Sequence, residues 1–234
     1  MPSTLSRSPR TIRVEVGVGD QSTRDEVLSF TFSTEEKSFL ALMPEAVPNG
    51  EADEGAQFSL SSLGTDWKLP PHCAHLLVTL HGPAEPAPIV RLSRFTSLLA
   101  AVAKSSPSVG VYWGDAGATH DSEFFLSVAA DLGVVPRIML WSGVSIARES
   151  DGRLSLVSLG MKQLGRPDLL LVAGESSGSV AIQTMYDLLA YVAERGEALP
   201  EGDTVGRTAD ERLPVHDVRS PLDSATKVWR VQLP

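Results

Sequence analysis

A chain of 234 residues can bury a sizeable core as one domain or two. Residues 1–117 carry 13 acidic and 9 basic side chains and residues 118–234 carry 16 and 11, so the charge of −9 is shared evenly. No Lys/Arg run exists, which disfavours nucleic acid and anionic membrane surfaces, because both are bound through clustered positive charge. A lone cysteine, Cys73, excludes an internal disulfide framework and a multi-cysteine zinc site.

The opening residues MPSTLSRSPR lack the apolar core of a signal peptide, and no apolar run approaches the ~20 residues of a membrane span. The expectation is a cytosolic protein without membrane insertion. The sequence further predicts a disordered tail over residues 1–10 and one α+β domain over 11–234, with 11–114 and 115–234 as candidate halves.

Along the chain, Thr11 to Gly19 alternates as a half-buried strand. Two further strands, 27–32 and 39–43, flank a polar turn and suggest a hairpin, with a short helix from Thr34 as the competing reading. Pro44 to Pro70 is rich in Pro, Gly and acid, and reads as a loop with a helical turn or two around Ala56–Leu63. His72 to His81 alternates as a strong strand. Ile89, Leu92, Phe95, Leu99 and Val102 recur at helical steps, and Val109 to Trp113 is a buried strand. That order, strand–helix–strand, is the shape of a parallel pairing.

His120 to Leu132 reads as a helix capped by Asp121. The remainder predicts a strand over 136–147, a turn at Asp151-Gly152, strands over 153–161 and 168–173, and a helix over 179–195. Three strands close the chain, near 204–207, 213–218 and 228–233. Hairpins and crossovers together predict an α+β fold with a mixed, largely antiparallel sheet and about three helices. Stretches 27–113 and 136–218 share an element order and form a candidate degenerate repeat.

Gly174-Glu175-Ser176-Ser177-Gly178 matches G-x-S-x-G and sits where a nucleophile elbow would, between a buried strand and a helix. Asp203 and His216 follow in hydrolase order. Against a hydrolase, no strand–helix alternation precedes the serine and no HGGG-type oxyanion loop is visible. A serine-rich joint is also what helix capping alone selects. His72, Cys73 and His75 form the densest set of potential metal ligands, with Cys73 and His75 about 6–7 Å apart on one strand face. The competing reading is a thiol packed in a core, flanked by hydrogen-bonded histidines. Trp67 beside the acidic loop, Trp113, Trp141 and Asp203 are the candidate binding residues. Neither a Walker loop nor a dinucleotide fingerprint is present, so no cofactor is expected.

Taken in order, several short motifs resemble one family. They are His72-Cys73-Ala74-His75-Leu76-Leu77-Val78, Val109-Gly110-Val111-Tyr112-Trp113, Leu140-Trp141, Ser158-Leu159-Gly160-Met161 with Gly165, Leu189-Ala190-Tyr191-Val192, and Gly202-Asp203-Thr204-Val205-Gly206. The set resembles a bacterial family catalogued as domain of unknown function 4261, over roughly residues 70–234. The resemblance implies a bacterial cytosolic protein and brings no established activity and no catalytic residues. In that family the stretch matching Gly174–Ser179 is variable and polar, which argues further against an elbow. The expectation is a non-enzymatic α+β interaction module of immunity or accessory type, with another protein as partner; a serine hydrolase or a metal-binding protein is the alternative. The acidic net charge suits a basic partner.

Overall fold

The computed structural model describes residues 15–17, 27–31, 36–82, 87–174, 177–195, 199–200, 202–206 and 210–234. They divide into two compact units, Met1–Ala46 with Cys73–Pro86, and Val47–His72 with Ala87–Pro234.

In the first unit, β1 (Glu15–Gly17), β2 (Val27–Thr31), β3 (Lys37–Met43) and β4 (His75–His81) form an antiparallel sheet in the order β1-β2-β3-β4. The predicted hairpin is present, with Val27 opposite Ala41 and Thr31 opposite Lys37. Thr34, where the competing helix would begin, lies outside the described residues. Leu40 faces Val78 and Leu42 faces Leu76, so the period of two gathers aliphatic side chains on one face.

The second unit opens with the acidic segment predicted as a loop. Short helical turns occupy it: Pro48–Gly50, α1 (Glu51–Gly55), Ala56–Phe58 and Leu60–Ser62. Gly55 is required there, because a Cβ would stand 2.8 Å from Thr119 Oγ1. Next comes α2 (Pro88–Lys104), opened by a proline whose missing N–H is one the first turn does not need. Its Ile89, Leu92, Phe95 and Leu99 pack on the core as their spacing predicts.

β5 (Gly110–Trp113) pairs antiparallel with β6 (Ala118–Asp121), not parallel with β4. The expected parallel strand–helix–strand unit is therefore absent among the described residues, since β4 belongs to the other unit's sheet. Asp121 caps α3 (Ser122–Ala130) as expected, its carboxylate accepting from Glu123 N at 2.9 Å and Phe124 N at 3.1 Å.

The predicted strand over 136–147 is corrected. Its first half is the helix α4 (Val134–Trp141), and only β7 (Gly143–Arg148) is extended. An apolar run has no period to choose between helix and strand. Pro136 falls within the first turn, where a helix tolerates it, and Ile138, Leu140 and Trp141 are all fully buried.

β8 (Leu154–Leu159), β9 (Leu169–Ala173), α5 (Gly178–Arg195), β10 (Thr204–Val205), β11 (Leu213–Pro214), β12 (His216–Arg219) and β13 (Lys227–Gln232) complete the unit. The main sheet has the order β12-β13-β9-β8-β7 and is antiparallel except where β13 lies parallel to β9. The connection between those two strands includes α5, as a parallel pairing requires. The fold is thus α+β with mixed, mostly antiparallel sheets, and it has five α-helices among the described residues where about three were predicted. The short α1 and the apolar α4 are the additions.

One face of this sheet carries Leu156, Leu169, Leu171, Trp229 and Val231 into the core against Met185, Leu189 and Val192 of α5. Tyr186 of the same helix is 2% exposed, and its hydroxyl has no hydrogen-bond partner among the described residues. Burial pushes its pKa well up. Removing an unsatisfied buried hydroxyl relieves a desolvation cost, so Tyr186→Phe is expected to stabilise the protein by ~1 kcal/mol. A lowered urea midpoint for that variant would show that the hydroxyl has a stabilising role.

Candidate functional site

The residues that the sequence singles out are not gathered into one site. Ser176 lies outside the described residues. Beside it, Ser177 performs the capping role, its Oγ accepting from Val180 N at 3.4 Å at the start of α5. A side chain at Gly174 would collide with the backbone of Leu233 and Pro234. Asp203 uses one carboxylate oxygen on Thr204 N at 2.8 Å, and the other stands 3.6 Å from Arg195 Nη2. His216 is exposed on β12, opposite Arg230 of β13.

His72 and His75 belong to different units. Val47 N donates to His72 Nε2 at 3.3 Å, and His75 Nδ1 lies 2.8 Å from Glu45 O. Cys73 is exposed, which overturns the expectation of a thiol packed in a core. Among the described residues, no group of three His, Cys, Asp or Glu side chains is placed to hold a metal ion.

Trp113 and Trp141 are core residues. Trp113 Nε1 donates to Gln163 Oε1 at 3.0 Å, and Gln163 Nε2 donates to Trp141 O at 2.7 Å and Gly160 O at 2.9 Å. Trp141 Nε1 donates to Thr96 Oγ1 at 2.8 Å. Gly160 has φ 105°, and a Cβ there would lie 2.8 Å from Ala116 Cα and 2.9 Å from Trp141 O. The Val-Tyr-Trp, Leu-Trp and Leu-Gly-Met motifs therefore meet at one junction, held by a glutamine that sequence reasoning did not single out. Trp67 stands apart, half-buried in the segment preceding β4.

Asp168 completes that junction. Its Oδ1 accepts from Ser158 Oγ at 3.0 Å and Met161 N at 3.1 Å, while Leu169 N donates to Ser158 Oγ at 2.8 Å. Burial raises its pKa against the lowering effect of these donors. His120 is wholly buried, with Nδ1 2.7 Å from Ser59 Oγ and Nε2 3.1 Å from Leu140 O. Burial lowers its pKa to about 4, so the ring is neutral. With Leu140 O only able to accept, Nε2 carries the proton and Ser59 donates to Nδ1. Serine and histidine are adjacent here, but both are shut inside the unit and act as struts.

The concave surface lies elsewhere, on the outer face of the five-stranded sheet. The register puts His216 and Val218 of β12, Val228, Arg230 and Gln232 of β13, and Leu170 and Val172 of β9 on that face. Val157, Val172 and Val228 are buried there, apart from the main core. Two hollows of about 580 and 280 Å³ adjoin at Arg230, which lines both. The larger lies between the β11 segment and the ends of β12 and β13, and includes Arg212, Leu213, His216 and Leu233. The smaller has a floor of Leu170, Val172 and Val218 and a rim of Glu149, Arg153 and Arg219. Together they present four arginines against two glutamates, on a chain whose charge is −9.

The arginines differ in how they are engaged. Arg153 Nε is 2.7 Å from Asp151. Arg219 donates to Ser224 O at 3.0 Å and Arg230 to Gln232 Oε1 at 3.1 Å, and among the described residues neither is in an ion pair. Sequence reasoning missed this face because Arg219 and Arg230 look like ordinary polar positions on alternating strands.

Among the described residues, no helix is long and apolar enough to cross a membrane. No curated protein and no solved structure matches the chain. Most of the residues lining the two hollows, from Leu170 to Gln232, fall inside one stretch that does find a relation. Residues 157–232 match the family model described as Domain of unknown function (DUF4261), the family that the ordered motifs resemble.

Proposed function

We propose that this protein is a non-enzymatic interaction module, of accessory or immunity type, that works by binding another protein on the outer face of its five-stranded sheet. The observation that carries the reading is the pair of adjoining hollows at Arg230, floored by aliphatic side chains and rimmed by arginines. An apolar floor with a polar, arginine-bearing rim is the anatomy of a protein interface. The buried titratable groups support it from the other side. Asp168, His120 and Arg137 each spend their polar atoms on backbone or hydroxyl partners that hold elements together.

The test is co-purification from source cells of the wild type, of Leu170→Glu in the floor, and of Leu132→Glu at a leucine 82% exposed outside both hollows. A protein retained by the wild type and by Leu132→Glu, and lost by Leu170→Glu with its circular dichroism unchanged, is the expected result. The same proteins retained by all three, or none by any, would count against the reading.

A further inference from the structure

Given that reading, we infer that the occupant of the face is an acidic segment, in which carboxylate side chains alternate with aliphatic ones. The charge of the whole chain favours a basic partner, but the local charge of the hollows runs the other way. Arg219 and Arg230 both line the smaller hollow, and their guanidinium groups have a backbone carbonyl and an amide as their partners. A guanidinium fork pairs two-pronged with a carboxylate and is more weakly hydrated than an ammonium, so it loses less on leaving water. Both are therefore unspent sites for a carboxylate.

The floor between them sets the other half of the specificity. Leu170, Val172 and Val218 offer aliphatic surface, so the segment must carry apolar side chains beside its acids. An extended chain presents alternate residues to opposite sides, which supplies the two kinds at the spacing of a strand. Nucleic acid fits less well. Among the described residues the hollows contain no aromatic platform for a base, and a polyanion must approach a chain of charge −9.

The test is fluorescence anisotropy of the full chain with a fluorescein-labelled ten-residue peptide of alternating Glu and Leu. Saturable binding is expected. It should weaken at least tenfold in the Arg219→Glu/Arg230→Glu double variant and, with the wild-type protein, when Gln replaces Glu in the peptide. The peptide substitution leaves the protein untouched, so a folding defect cannot mimic the result. A peptide that does not bind, that binds the double variant equally, or that a single-stranded oligonucleotide displaces at lower concentration than unlabelled peptide overturns the inference. In that event a partner still lost by Leu170→Glu leaves the interaction reading standing, so the two fail separately.

Discussion

Replacing Arg137 by alanine is expected to destabilise the protein by about 3–5 kcal/mol, the largest single-residue effect proposed for it. Arg137 is 2% exposed in an apolar helix, yet among the described residues no carboxylate is bonded to it. Its Nε donates to Asp131 O at 2.7 Å, Nη1 to Ser93 O at 2.9 Å, and Nη2 to Ala129 O at 3.0 Å. Ala129 and Asp131 lie at the end of α3, where carbonyls lack helical partners and the helix dipole favours a cation. Ser93 belongs to α2, so one side chain fastens three helices. Truncation removes the charge, leaves the buried carbonyl of Ala129 without this donor, at about 1–3 kcal/mol for a buried group left unsatisfied, and unties the part-buried links to Asp131 and Ser93. Urea unfolding followed by tryptophan fluorescence measures the loss. Arg137→Lys should recover only part of it, because an ammonium cannot span the three acceptors in one plane. A loss under about 1 kcal/mol for the alanine variant would mean that water replaces the guanidinium at little cost.

The second large effect is acid sensitivity from His120. Burial holds its folded pKa at about 4, below the ordinary 6.5. The unfolded chain therefore takes up a proton on this ring as pH falls through about 6.5, and the folded protein does not until about 4. The stability it contributes is fully present above 6.5 and is lost progressively between 6.5 and 4. A shift of that size corresponds to a loss on the order of 3 kcal/mol. Asp168 acts in the opposite sense, because its folded pKa is raised and protonation on acidification favours the folded state. Urea midpoints at pH 7, 6, 5 and 4 should thus fall in the wild type, and the fall should flatten in His120→Asn from its lower starting point. Parallel curves for the two proteins across that window would remove His120 as the cause.

Much of the fold was legible in local patterns. Steps of three and four gave α2 and α5, apolar runs flanking a polar turn gave the β2–β3 hairpin, alternation gave β4, and Asp121 announced the start of α3. The order of the short motifs pointed to the family matched over residues 157–232. What stayed hidden depends on long-range partners. The run Val134–Trp141 has no period of its own, and the one clue to its helix, a charge within it, acquires meaning only from carbonyls on α2 and α3. Gln163 looks like a surface residue until the fold brings Trp113 and Trp141 to it. The outer face is hidden for the same reason. Arg230 comes beside Leu170 only because β13 enters the sheet parallel to β9, after α5 and three short strands. Conversely, the G-x-S-x-G pattern drew attention through local resemblance alone, while the capping that it also encodes is seen at Ser177.

The working surface can be located directly by photo-crosslinking in source cells, with p-benzoylphenylalanine placed at Val218 in the smaller hollow or at the exposed Leu132. A discrete crosslinked protein from position 218 and none from position 132 is the result expected of a partner seated on the outer face of the sheet. Crosslinking at 132 with none at 218, or at neither, would contradict it.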